Sequence, residues 1–129
     1  MANVMPYRLL LIRVFVTDWQ RALHFYADPL GMPIATRSDA YHWAELDTGA
    51  AHLAIEPIAP DDPEHGALVG RFLGVSLEVA DVHATRARLV ERGVEFLEPP
   101  SQMPWGGVLA HFRDPEGNVL TLIGPPRSE

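Results

Sequence analysis

The chain has 129 residues, 10 basic and 17 acidic side chains for a net charge of −7, 47% hydrophobic and 21% charged residues, and no cysteine. That length holds one ordinary domain or two very small ones sharing a core, and the composition excludes wholesale disorder. The acidic balance argues against nucleic acid, while the missing cysteine removes disulfides, thiolate catalysis, zinc ribbons and iron–sulfur ligation and fits a cytoplasmic protein.

The N-terminus shows no basic region followed by a long apolar stretch, so no signal peptide is expected. The first apolar run, Leu9 to Val16, is interrupted by Arg13 and is far too short to cross a bilayer, so no membrane partner is expected. Alternation puts Ile12, Val14 and Val16 on one face of a strand and Leu11, Arg13 and Phe15 on the other. Asp18 then caps a helix of roughly Trp19 to Asp28, with Trp19, Ala22, Leu23 and Tyr26 at helical spacing, and Gly31 serves as its C-cap. Pro33 to Arg37 reads as a short strand. Tyr41 to Leu46 and Ala51 to Glu56 read as a hairpin around Asp47-Thr48-Gly49. Residues 58–70, with Pro60, Pro63, Gly66 and Gly70, form a linker.

After it, Leu73 to Val79 is a strand. Asp81 caps a helix of Val82 to Arg92 with Val82, Thr85 and Leu89 inward, and Gly93 ends it. Val94 to Leu97 is short. Gly107 to Phe112 and Asn118 to Ile123 make a second hairpin around Asp114-Pro115-Glu116-Gly117. The capping aspartates are 63 residues apart and the glycines 62, so one βαβββ unit occurs twice. The expected organisation is a single domain: a first module over 8–57, the linker over 58–70 and a second module over 71–124.

These residues, in this order, resemble the vicinal oxygen chelate superfamily, which holds glyoxalase I, bleomycin-resistance proteins and extradiol dioxygenases. The resemblance runs from about Leu9 to Ile123. It is carried most specifically by Phe112-Arg113-Asp114-Pro115-Glu116-Gly117-Asn118-Val119-Leu120, which looks like the family's final hairpin. Val16-Thr17-Asp18 and Phe25-Tyr26 followed by Leu30-Gly31 look like its opening. The resemblance implies an α+β fold in which two βαβββ modules form a cupped mixed sheet around a cavity, with helices outside. Metal enzymes of this family place ligands at four cavity-facing strand positions, which fall here near Leu11, Ala54, Gly74 and Thr121. None is an ordinary metal ligand, so no metal and no cofactor is expected.

By alternation, the faces opposite the core carry Arg13 and Phe15, Trp43 and Glu45, His52 and Glu56, Ser76 and Glu78, Leu109 and His111, and Thr121. From these, Arg13, Phe15, Trp43, Glu45, His52, Glu56, Glu78 and His111, together with Trp105, are the candidate ligand-binding residues. Aromatic rings with a few placed polar groups suit a small-molecule site, although tryptophans also pack at seams and dimer contacts. His111 and Glu78 are the candidates should there be catalysis; a histidine satisfied by a neighbour is the plainer reading of His111. His52 and Glu56, four apart on a strand and hence roughly 13 Å from each other, cannot chelate one ion. The leading expectation is a metal-free binder of a small molecule, a cationic aromatic one on the acidic balance, resembling the bleomycin-resistance branch. The alternatives are a lyase, isomerase or dioxygenase with non-standard ligands, and a structural homologue with a vestigial cavity. Exposed sheet edges and the resemblance together predict a homodimer.

Overall fold

The computed structural model describes residues 5–127. Its elements are β1 (Leu11–Val16), α1 (Trp19–Ala27), β2 (Ile34–Ser38), β3 (Trp43–Leu46), β4 (His52–Pro57), α2 (His65–Leu68), β5 (Phe72–Glu78), α3 (Val82–Glu91), β6 (Glu95–Phe96), β7 (Ser101–Gln102), β8 (Val108–Arg113) and β9 (Val119–Gly124). They build two mixed sheets. The first has strand order β1-β4-β3-β2; the second runs β5-β9-β8-β6, with β7 also paired to β8. In each sheet the strand before the long helix pairs in parallel with the last strand of its own hairpin, β1 with β4 and β5 with β9. A parallel neighbour needs a crossover, and α1 and α3 lie within those crossovers.

The helices start where an aspartate can satisfy free amides. Asp18 Oδ1 accepts the Arg21 N–H at 3.1 Å and Asp81 Oδ1 the Ala84 N–H at 3.0 Å. Their ends differ. At α3, the N–H groups of Gly93 and Val94 bond to the carbonyls of Val90 and Leu89, the pairing that a glycine at positive φ permits. At α1 the helix stops at Asp28 because Pro29 cannot continue it, and Gly31 lies in the turn beyond instead of capping the helix.

The period-two pattern sets the core. Val14, Val16, Leu53, Ile55, Val75, Ala110, Phe112, Leu120 and Leu122 are buried, with Ile12, Leu77 and Val79 packed against them. Helix α1 covers β3 and β4; α3 covers β6, β8 and β9. Trp19, Ala22, Leu23 and Tyr26 face inward, joined by Phe25, and the Trp19 indole donates to the Ile55 carbonyl at 3.1 Å. Phe25 and Phe112, with ring centroids 6.5 Å apart, carry the core from one sheet to the other. Two elements lie outside the sequence reading: the single-turn α2 in the proline-rich stretch, and the two-residue β7, which brings the second sheet to five strands.

Candidate functional site

Away from the helices, each sheet presents its second face. On the first sheet the register sets Leu11 beside His52, Arg13 beside Ala54 and Phe15 beside Glu56, with Glu45 on the far side of Ala54. Arg13, Ala54 and Glu45 thus form one row, flanked along the strands by His52 and by Phe15 with Glu56. Trp43, two residues before Glu45, shares the face. On the second sheet Ser76, Thr121 and His111 form a row, and Phe72 with Val119 lies to one side.

The polar groups on these faces bond to one another. The Arg13 guanidinium donates to both Glu56 oxygens, at 2.9 and 3.4 Å, and sits 5.1 Å from the centre of the Phe15 ring. The Trp43 indole donates to Glu45 Oε2 at 3.0 Å, and His52 Nδ1 lies 2.9 Å from Glu45 Oε1. These two contacts, His52 first, hold the Glu45 carboxyl below its usual range. Across the second sheet, His111 Nδ1 meets the Thr121 hydroxyl at 2.8 Å, with its ring edge-on to Phe72 at 5.6 Å.

The structure therefore groups Arg13, Phe15, Trp43, Glu45, His52 and Glu56 on one face. His52 and Glu56 go to different partners, as their spacing on the strand requires. His111 and Glu78 are on the second sheet but do not meet: the register sets them two strands and two residues apart, roughly 12 Å. Glu78 is exposed. Trp105 belongs to the turn between β7 and β8, is 64% exposed, and lies over Gly107, whose missing Cβ leaves room for the indole.

The metal positions implied by the resemblance can be tested on these faces. Leu11, Ala54 and Gly74 offer no side-chain donor, and the Thr121 hydroxyl is engaged with His111. Among the described residues no three His, Asp or Glu side chains converge. The residues present do not fit a divalent ion.

A second polar cluster, not anticipated from sequence, lies at the tip of the β8–β9 hairpin. Tyr26, fully buried in α1, donates its hydroxyl to Asp114 Oδ2 at 2.7 Å. Asp114 Oδ1 accepts the amides of Glu116 at 2.8 Å and Asn118 at 2.9 Å, and Oδ2 also accepts the Asn118 side-chain amide at 3.0 Å. Asn118 reaches on to the Phe15 carbonyl and to the amides of Gly70 and Arg71, while Glu116 accepts those of Thr17 and Asp18. Burial, then the Asp114 charge, raises the Tyr26 hydroxyl well above its ordinary value. This is a structural clamp between α1, the end of β1 and the second sheet. Its available sequence signal is a tyrosine at an inward helix position combined with an Asp-Pro-Glu-Gly-Asn turn.

Residues 8–122 match the model of the Glyoxalase/Bleomycin resistance protein/Dioxygenase superfamily, and the chain belongs to that superfamily. Its sequence is 32% identical over 124 residues to YraH of Bacillus subtilis (strain 168), covering 89% of this chain and 96% of YraH. Its structure is similar to a crystal structure of a superfamily member from Sphaerobacter thermophilus DSM 20745, with TM-score 0.79 and 28% identity over 94% of this chain and 99% of that one. It is also similar to TnmS3, described as an antibiotic binding protein from Streptomyces sp. CB03234, with TM-score 0.72 and 29% identity over 95% and 99% of the two chains. Among the described residues no helix is long and apolar enough to cross a membrane.

Proposed function

We propose that this chain binds a small aromatic molecule, cations in preference to anions, on the open strand faces, without a metal and without transforming it. The observation that carries the reading is the mutual pairing on those faces. Arg13 pairs with Glu56, while His52 and His111 are each held through Nδ1, by Glu45 and Thr121; among the described residues no side chain meets the Nε2 of either imidazole, so neither histidine has a nucleophile of this chain to activate. What a ligand meets on the first sheet is aromatic surface, Phe15 and Trp43, beside carboxylates that already hold partners. The Arg13 guanidinium over Phe15, backed by Glu56, already places a cation between a ring and an acid. Trp43 and Glu45 offer the same two groups two strands away, across β4, with an imidazole in the third place. The similarity to TnmS3 supports sequestration over turnover.

The protein is proposed to work as a homodimer. Edge strands β1 and β5 are unpaired on their outer sides among the described residues, and Leu9, Leu10 and Phe72 beside them are 68, 58 and 59% exposed. Light scattering at micromolar concentration should give twice 14.3 kDa. A monomer that persists at high concentration refutes this.

The binding test is a titration of tryptophan fluorescence with cationic, neutral and anionic aromatic compounds. Cations should quench saturably, and Trp43→Ala should weaken them about tenfold, the equivalent of ~1.4 kcal/mol. Trp105→Ala tests whether the exposed indole closes over the same ligand. Equal or tighter binding of anions overturns the charge preference and promotes Arg13. A stoichiometric divalent metal retained after dialysis, and lost in His111→Ala or Glu78→Ala, overturns the non-catalytic reading.

A further inference from the structure

The tips of the two long hairpins are built on one plan. Asp114 follows β8 and Asp47 follows β3, and each carboxylate accepts the amide two residues on, from Glu116 at 2.8 Å and from Gly49 at 2.7 Å. The long helices also correspond: Tyr26 stands eight residues beyond its capping Asp18, and Leu89 eight beyond Asp81. Both side chains are buried. At the first tip the Tyr26 phenol fills the space up to Asp114 and donates to it. At the second, Leu89 brings neither a six-membered ring nor a hydroxyl. Here a cavity of about 250 Å³ opens, floored by the half-buried Leu77 and Val79 over the buried Leu89, Phe112 and Leu122, and bordered by Asp47 and Thr48.

We propose that this cavity binds a neutral phenol, its ring against Leu77 and Val79 and its hydroxyl donating to Asp47, as Tyr26 does to Asp114. The size fits: an apolar cavity of about 150 Å³ is enough to hold one benzene ring. The floor consists of core-facing residues of the second sheet, so the site lies on the helix side and is separate from the open faces. Arg88 also lines the cavity, so its lining carries one cation and one anion and selects no net charge. A hydroxyl is specified because Asp47 borders the cavity and its Oδ2 holds no partner among the described residues, so it can accept one.

The test is an amide chemical-shift titration of the full chain with phenol and with anisole, which matches the ring but cannot donate. Phenol should move the amides around Asp47, Thr48 and Leu89 saturably, and bind about tenfold or more tighter than anisole. In Asp47→Asn the phenol affinity should fall to within about twofold of that of anisole. Leu89→Tyr supplies the phenol covalently and should abolish binding while leaving the remaining amide shifts native-like; if it fails to fold, Asp47→Asn carries the decision. Equal affinity for phenol and anisole, shifts confined to other residues, or undiminished binding in a folded Leu89→Tyr chain would overturn the proposal.

Discussion

The two hairpin tips of this chain meet two helices of the same design and solve the contact in opposite ways. At the β8–β9 tip a carboxylate is taken out of water. Asp114 is 4% exposed and receives donors from Tyr26, Glu116 and Asn118. At the β3–β4 tip Asp47 stays exposed, holds one exposed backbone amide and leaves a gap against α3. A buried charge is tolerable only when its oxygens are saturated, and the saturating groups must come from different parts of the chain. Here they do, and the carboxylate becomes the joint between the sheets. The difference lies in Tyr26 and Asn118, which meet Asp114 and have no counterpart at Asp47 among the described residues, and whose bonds reinforce one another.

The sharpest way to break the contrast is to remove both aspartates in turn. Asp114→Ala strips an acceptor from the Tyr26 hydroxyl, two backbone amides and the Asn118 side chain, and should cost about 4 kcal/mol or abolish folding, at about 1–3 kcal/mol per orphaned buried donor with partial relaxation. Asp47→Ala should cost less than about 1 kcal/mol by urea denaturation, because its single partner reverts to water. Comparable losses at the two sites would erase the distinction.

A smaller effect isolates the hydroxyl. Tyr26→Phe should cost about 1.5–3 kcal/mol, the range for a hydrogen bond to a charged group. It should also change the alkaline limb. The Tyr26 hydroxyl is raised in the folded chain by burial first and by Asp114 second, so its contribution is complete below the unfolded value near 10 and is lost as pH climbs from there toward the folded value. The wild-type chain should lose stability over that window more steeply than Tyr26→Phe; parallel curves would count against the assignment. On the acid side the sign reverses. Glu45, lowered by His52 and then Trp43, contributes above its ordinary 4.5, and that contribution fades as pH falls through the folded value; Glu45→Gln should flatten this slope. Smallest of all is Arg13→Ala. Arg13 pairs with Glu56 at a side-chain exposure of 55%, so its removal should change stability least in this series, and less still in high salt.

The parts legible in the sequence were those with local causes. Asp18 and Asp81 announced two helix starts, and the alternation of Ile12, Val14 and Val16 or of Leu120 and Leu122 set the buried faces. The single turn of α2 has no side-chain cap and no buried residue, so nothing in its pattern separates it from linker. β7 is two residues paired, among the described residues, to β8 alone, and such pairing depends on where β8 lies, not on Ser101 and Gln102 themselves. The candidate faces were legible by parity, but their bonds were not. Alternation put Glu45, His52, Glu56 and Arg13 on one side without saying that they would pair crosswise. The clamp was furthest from view: Asp114 lies 88 residues from Tyr26, and its turn is a sufficient reason for an aspartate.

Gly74 interrupts β5 with a φ of 73°, and the pairing register with β9 shifts between Phe72 and Ser76. It also occupies one of the four positions where the family resemblance implies a metal ligand. A histidine or glutamate there would have to adopt a left-handed backbone that side chains with a Cβ resist, at about 1–3 kcal/mol. Relaxing the bulge to avoid that strain would re-aim the neighbouring side chains on β5. Installing a metal centre in this protein is therefore a backbone problem before it is a ligand problem. Ala54 is fully buried and Thr121 is bonded to His111, so those positions have packing and a partner to replace, and Gly74 requires rebuilding a strand, which places this chain several coupled steps from a metal centre.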